Sequence, residues 1–197
     1  MAISSSGTPV CLREIVLRDK PAEFIAHSPK ATVPVLVTAD GEVIDESLDI
    51  MVWALEKSDP DGLLASELVS RAEMIDLIVR CEEEFKPNLD TYKYANGKEE
   101  ADPVAARGRA LVFLEDLNTQ LEAQDFLFGA TTSLADIAIF PFVRQFAGVD
   151  PGWFSGLDLP NLQFWLEKQV SSPLFASVMG KYRPWSEARE EFLMSRA

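Results

Sequence analysis

The chain has 197 residues, 47% hydrophobic and 25% charged, enough for one or two domains with a real core. Its formal net charge of −14 opposes binding to a nucleic-acid backbone or an anionic bilayer, and no apolar run reaches the roughly 20 residues that span a membrane. Met1-Ala2-Ile3-Ser4-Ser5-Ser6-Gly7 carries neither the basic region nor the apolar stretch of a secretory signal, so the expected compartment is the cytoplasm.

Residues 10–17 (VCLREIVL) have the β-branched and apolar content of a strand. A short helix over residues 22–26 follows Asp19-Lys20-Pro21 and stops at Ser28-Pro29. Residues 33–37 read as a second strand, and Asp40-Gly41 as the hairpin turn into Val43-Ile44. From Ser47 onward Leu48, Met51, Val52 and Leu55 recur at helical spacing, behind the acid–hydroxyl stretch Asp45-Glu46-Ser47. The first part is therefore strand, helix, strand, strand, helix.

Residues 58–65 have linker composition, and everything after them reads as helix. Leu68, Ala72, Ile75 and Val79 form one apolar stripe, widened by Ile78, Cys81 and Phe85, and Pro87 is expected to kink or end that helix. Asp102-Pro103 is a start signal, with Ala110, Phe113, Leu114, Leu117 and Leu121 as the apolar face behind it. Ser133-Leu134-Ala135-Asp136 is a capping box in which aspartate replaces the usual glutamate, and the run after it is apolar all round. That pattern describes a central buried helix whose carboxylate is structural. Residues 162–166 and 173–179 suggest two further short helices.

Few side chains offer metal or redox chemistry. Cys11 and Cys81 show no paired spacing, which argues against zinc and against a disulfide scaffold. Both are expected in the core, with Cys11 buried and unreactive inside its strand. His27 is the sole histidine and reads as a surface helix end. The acidic runs Glu82-Glu83-Glu84 and Glu99-Glu100-Ala101-Asp102 read as solvated faces.

Val33-Pro34-Val35-Leu36, Glu46-Ser47 and Ser133-Leu134-Ala135-Asp136, in this order around a short linker, resemble the cytosolic glutathione S-transferase family. The likeness runs from about Val10 to about Tyr182. It implies an α+β chain: a thioredoxin-like α/β domain over residues 1–57, the linker 58–65, and an all-helical domain over residues 66–197. It implies a cis Pro34 and a bound glutathione as co-substrate. The Val33 backbone would pair with the cysteinyl part, Glu46 would meet the ammonium, and Ser47 the carboxylate of the γ-glutamyl end. Lys30 would face the glycyl carboxylate. It further implies a homodimer, and a small hydrophobic or disulfide second substrate between the domains. Phe85, Tyr92, Tyr94, Phe142 and Phe146 are the aromatic residues in that region.

Family members open with a strand, a loop whose Cys, Ser or Tyr activates the glutathione thiol, and a first helix. Only nine residues precede Val10, too few for a strand of about five residues and a helix of about eleven. Met1-Ala2-Ile3 is read as the tail of that helix and residues 4–9 as the loop behind it. The expectation is a chain given without its first strand and catalytic loop, so thiol activation is assigned to no residue and turnover is left open. Residues 10–17 are then expected to pair directly with residues 33–37 or to present an unpaired edge. Two functions follow: glutathione transfer to an electrophile or mixed disulfide, or a non-catalytic binding or dimerising module of the same shape.

Overall fold

The computed structural model of the protein describes residues 1–65, 69–95, 102–189, 191–194 and 196. They form two compact units, one made of Met1–Asp61 with Pro173–Ala197 and the other of Gly62–Ser172. The sequence reading places residues 173–197 with the helical part. They group instead with the first unit, because a helix and a strand within them pack on its opening elements.

In the first unit, helix α1 (Ala2–Ser6) ends at Gly7, whose φ of 69° supplies the left-handed turn that closes a helix. It therefore runs through the serines read as loop, and their hydroxyls find partners: Ser6 donates to the Ile3 carbonyl at 2.9 Å and Ser5 to Asp61 Oδ2 at 2.6 Å. Strand β1 (Val10–Leu12) is much shorter than residues 10–17. Beyond it the Glu14 carbonyl accepts from Trp185 N–H, and a tight turn bridges Val16 to Asp19. Helix α2 (Ala22–His27) leaves His27 exposed at its end, as expected.

The Val33–Pro34 peptide is cis. Strands β2 (Leu36–Val37) and β3 (Val43–Ile44) form the expected hairpin. Gly41 takes φ 88° in its turn, while the Thr38 hydroxyl donates to Asp40 and accepts from Glu42 N–H. Helix α3 (Ser47–Lys57) buries Ile50, Ala54 and Leu55; of the predicted stripe Leu55 is buried, while Leu48, Met51 and Val52 are half-buried. Helix α1 packs on α3, and α10 (Pro173–Val178) packs on α1. Helix α11 (Trp185–Ala188) leads to β4 (Phe192–Met194), which pairs antiparallel with β1. This overturns the expectation for residues 10–17: the partner is a segment from the far end of the chain, not residues 33–37, and the strands form two separate two-stranded ribbons.

The second unit is helical. Helix α4 (Arg71–Arg80) opens on a Ser70–Glu73 capping box. It buries Met74, Leu77 and Ile78; of these only Ile78 belongs to the expected stripe, Cys81 and Phe85 beyond it are buried as well, and Val79 is exposed. Leu68 lies outside the described residues, as do Glu99, Glu100 and Ala101. Pro87 does not end this helix. A π-turn (Cys81–Phe85) leads directly into α5 (Lys86–Tyr94), and the wider turn absorbs the residue that lacks an N–H. Asn88 Nδ2 covers the Glu84 carbonyl at 2.7 Å.

Helix α6 (Pro103–Gln120) starts where Asp102 caps the Ala105 N–H at 2.9 Å. Its predicted face, Ala110, Phe113, Leu114, Leu117 and Leu121, is buried throughout. Helices α7 (Leu134–Ala147), α8 (Pro151–Ser155) and α9 (Pro160–Val170) complete the unit. Asp136 is fully buried, and its carboxylate accepts four hydrogen bonds, from Leu127 N–H, Ser133 N–H, the Ser133 hydroxyl and Trp165 Nε1–H, at 2.6–2.9 Å. It is structural, as its place in the capping box implied.

Candidate functional site

Three of the residues named from sequence, Lys30, Glu46 and Ser47, meet at the N-terminal end of α3. Glu46 is the N-cap, with φ −114° and ψ 138°, and its side chain makes no capping hydrogen bond. Ser47 is the first helical residue and is exposed. The first helical bond runs from Ile50 N–H to the Glu46 carbonyl, so the amides of Ser47, Leu48 and Asp49 precede the ladder. An anion placed there meets both unused donors and the positive end of the helix dipole.

Lys30 reaches this end from the loop after α2. Its Nζ lies 3.1 Å from Glu46 Oε1 and 3.3 Å from Asp45 Oδ2. The hydrogen bonds it donates, to Glu46 first and then to Asp45, raise its affinity for a proton. The structure thus joins two predicted site residues, Lys30 and Glu46, and adds Asp45 as a third member. Asp45 carries no site signal in the sequence, because nothing local distinguishes a solvated aspartate from one that faces a lysine fifteen residues upstream. Val33 is 44% exposed, and its N–H and C=O take no hydrogen bond from the described residues.

The thiols diverge. Cys81 is buried on the π-turn, and burial pushes its thiol up to about 12, which makes it inert at neutral pH. Cys11 is exposed, contrary to expectation: in a ribbon of two strands one face of β1 meets solvent, and Cys11 stands on it opposite Leu193. A disulfide reagent added to the native chain is expected to modify one thiol, Cys11, rapidly and Cys81 only after denaturation. Two fast equivalents, counted by released chromophore, would contradict this.

Of the aromatic residues named from sequence, Phe85 and Phe146 are buried and pack on each other at 5.4 Å. Tyr92 stacks against Phe146 at 5.2 Å, and Tyr94 is 57% exposed. A hollow of about 630 Å³ opens elsewhere in the second unit, lined by the α6 end, Gly129, Asn161 and Phe164. Among the described residues no group of His, Cys, Asp and Glu could hold a metal ion. No helix of the described residues is long and apolar enough to cross a membrane.

Two family models match the chain in order. The glutathione S-transferase N-terminal domain matches residues 1–57 and the C-terminal domain residues 98–168. The chain belongs to the glutathione S-transferase family. It is 34% identical over 158 residues to a glutathione S-transferase of Drosophila melanogaster, covering 74% of this chain and 64% of that protein. It is 29% identical over 171 residues to a probable elongation factor 1-gamma of Arabidopsis thaliana, covering 82% of this chain and 40% of that protein. The chain therefore spans about half the length of the curated relatives it matches. Among solved structures, a glutathione transferase family member of Pseudomonas fluorescens with two glutathione molecules bound superposes with a TM-score of 0.66 at 25% identity. That likeness covers 79% of this chain and 74% of the other.

Proposed function

We propose that the first unit of this glutathione S-transferase family member binds glutathione at the N-terminal end of α3. The Val33 main chain, which has no hydrogen-bond partner among the described residues, pairs strand-like with the cysteinyl residue. Ser47 and the leading amides of α3 receive the γ-glutamyl carboxylate, and Glu46 receives its ammonium. The observation that carries this reading is the position of the Lys30 ammonium between Asp45 and Glu46. It marks a seat whose charge and size suit a primary ammonium, next to a seat that suits a carboxylate. Binding is then an exchange: the ligand's ammonium takes the place of Lys30 on Glu46, and Lys30 turns to the glycyl carboxylate. Charge stays balanced throughout, so neither carboxylate is left facing the other alone.

The exchange sets a selective prediction. Lys30→Met frees the carboxylates from their internal competitor, while loss of the glycyl contact weakens all glutathione-like ligands alike. The preference for glutathione over its des-amino analogue is therefore expected to rise about tenfold in Lys30→Met, measured as a ratio of Kd values. A ratio equal to that of the wild type would remove Lys30 from the ammonium seat.

The reaction this seat serves is conjugation of glutathione to a small electrophile, or exchange with a mixed disulfide, in a cytoplasmic dimer. Thiol activation is assigned to no described residue. The likeness to a protein named as an elongation factor supports a second reading, a glutathione-binding or dimerising module without turnover. Calorimetric titration with glutathione, followed by turnover of a chlorinated aromatic and of a mixed disulfide, separates the two. Binding with turnover selects the transferase, binding without turnover selects the module, and no heat at millimolar glutathione overturns both.

A further inference from the structure

The strand that covers β1 comes from the other end of the chain, and what holds it there is unlike the rest of the unit. Val10, Cys11 and Leu12 stand opposite Met194, Leu193 and Phe192. Trp185 N–H donates to the Glu14 carbonyl at 2.7 Å. Around this short ladder the Tyr182 ring lies 4.9 Å from that of Phe192, and the remaining side-chain contacts among the described residues are ionic. Arg13 Nη2 lies 2.6 Å from Glu191 Oε1 and its guanidinium 4.6 Å over the Trp185 ring. Arg196 Nη2 lies 2.7 Å from Asp61 Oδ1, and the other oxygen of Asp61 accepts the Ser5 hydroxyl of α1.

None of the side chains described between 182 and 196 is buried, and Leu193 is 66% exposed. The attachment is therefore three residues of ladder, the Trp185–Glu14 hydrogen bond, half-buried ring contacts and three solvent-exposed ion pairs, the third joining Arg189 to Glu23 at 3.8 Å, with no fully buried side chain among the described residues. Exposed ion pairs weaken as salt screens them, and segments with few buried contacts open well below the global unfolding free energy. Helix α10, by contrast, packs on α1. The chain between them, around Gly180, has no regular structure and can act as the hinge.

We propose that residues 182–196 are a detachable strap that closes the β1 edge in cis and is released by salt as one piece, while α1 and α3 stay folded. The edge it leaves is a docking site for an extended antiparallel strand of the strap's own pattern, an acid followed by three consecutive apolar residues, Glu191-Phe192-Leu193-Met194. The acid meets Arg13, and the main chain meets β1 and the Glu14 carbonyl. This holds whether or not the unit binds glutathione.

The full-length variant Leu193→Cys tests it, because residue 193 stands directly opposite Cys11 on the exposed face. Diamide takes two electrons and two protons from the facing thiols, and Cys81 does not compete, its thiol being pushed up to about 12. The expected product in dilute protein is a disulfide within one chain. Hydrogen exchange at residues 10–14 is expected to speed up about tenfold from low to molar salt in the reduced chain, and to be independent of salt in the disulfide form. A labelled peptide of residues 191–197, held by the same salt-sensitive ion pairs, is expected to compete with the strap for the reduced chain at low salt and millimolar peptide, and not to bind the disulfide form. Facing thiols that stay unjoined, a disulfide only between chains, exchange at residues 10–14 that ignores salt, exchange that quickens equally in α3, or a peptide that binds neither form would each overturn the proposal.

Discussion

Replacing Asp136 with alanine is expected to lower the unfolding free energy of the helical unit by about 3–7 kcal/mol, read as the shift of a urea transition. The size follows from what the carboxylate does. It closes the capping box of α7 by accepting from Ser133, and it is the acceptor for the buried Leu127 N–H and Trp165 Nε1–H. Loss of a cap costs about 1 kcal/mol, and each buried donor left without an acceptor about 1–3 kcal/mol. Ser133→Ala removes only the hydroxyl and is expected to cost about 1 kcal/mol. If the two substitutions cost the same, the bonds to Leu127 and Trp165 contribute nothing and Asp136 is only a cap.

The same residue gives a pH dependence of definite sign. Burial pushes the Asp136 carboxyl up, outweighing the bonds from Leu127, Ser133 and Trp165 that pull it down. The folded chain then holds this proton more tightly than the unfolded chain, whose carboxyl titrates near about 4. The stabilisation from that proton is complete below the unfolded value and is lost as pH rises through the raised folded one. The gap in stability between wild type and Asp136→Asn is therefore expected to narrow as pH rises from about 4, other carboxylates cancelling in the comparison. A gap that widens would mean that the four donors dominate.

Glu46→Ala together with Ser47→Ala is expected to weaken glutathione binding by at least about 100-fold, since each deletes a charge-assisted hydrogen bond to the γ-glutamyl end. Calorimetry measures it, and far-ultraviolet circular dichroism should be unchanged, because Glu46 makes no capping bond. Undiminished affinity would place the ligand elsewhere.

Much of this architecture is written in short-range pattern. The capping box at Ser133–Asp136, the Asp40-Gly41 hairpin and the buried face of α6 each depend on neighbours within a turn or two, where side-chain period and backbone preference suffice, whereas the cis Pro34 is implied by the family resemblance alone. The Glu46-Ser47 pair is legible for the same reason, since a helix start announces itself locally. That Lys30 rests on Glu46 and Asp45 is not, because a loop had to bring the lysine back to α3.

What tertiary structure alone decided is which surface each element shows to another. Leu48, Met51, Val52 and Leu55 make as good a stripe as Ile50, Ala54 and Leu55, and packing on α1 leaves only Leu55 of the first fully buried. Cys11 faces solvent because β1 has β4 as its partner, and that partner lies at the opposite end of the chain, where no local signal near residue 10 could announce it. Pro87 continues a helix instead of ending it because a π-turn makes room. Periodicity fixes that a face exists, while packing against a distant segment determines whether it is buried.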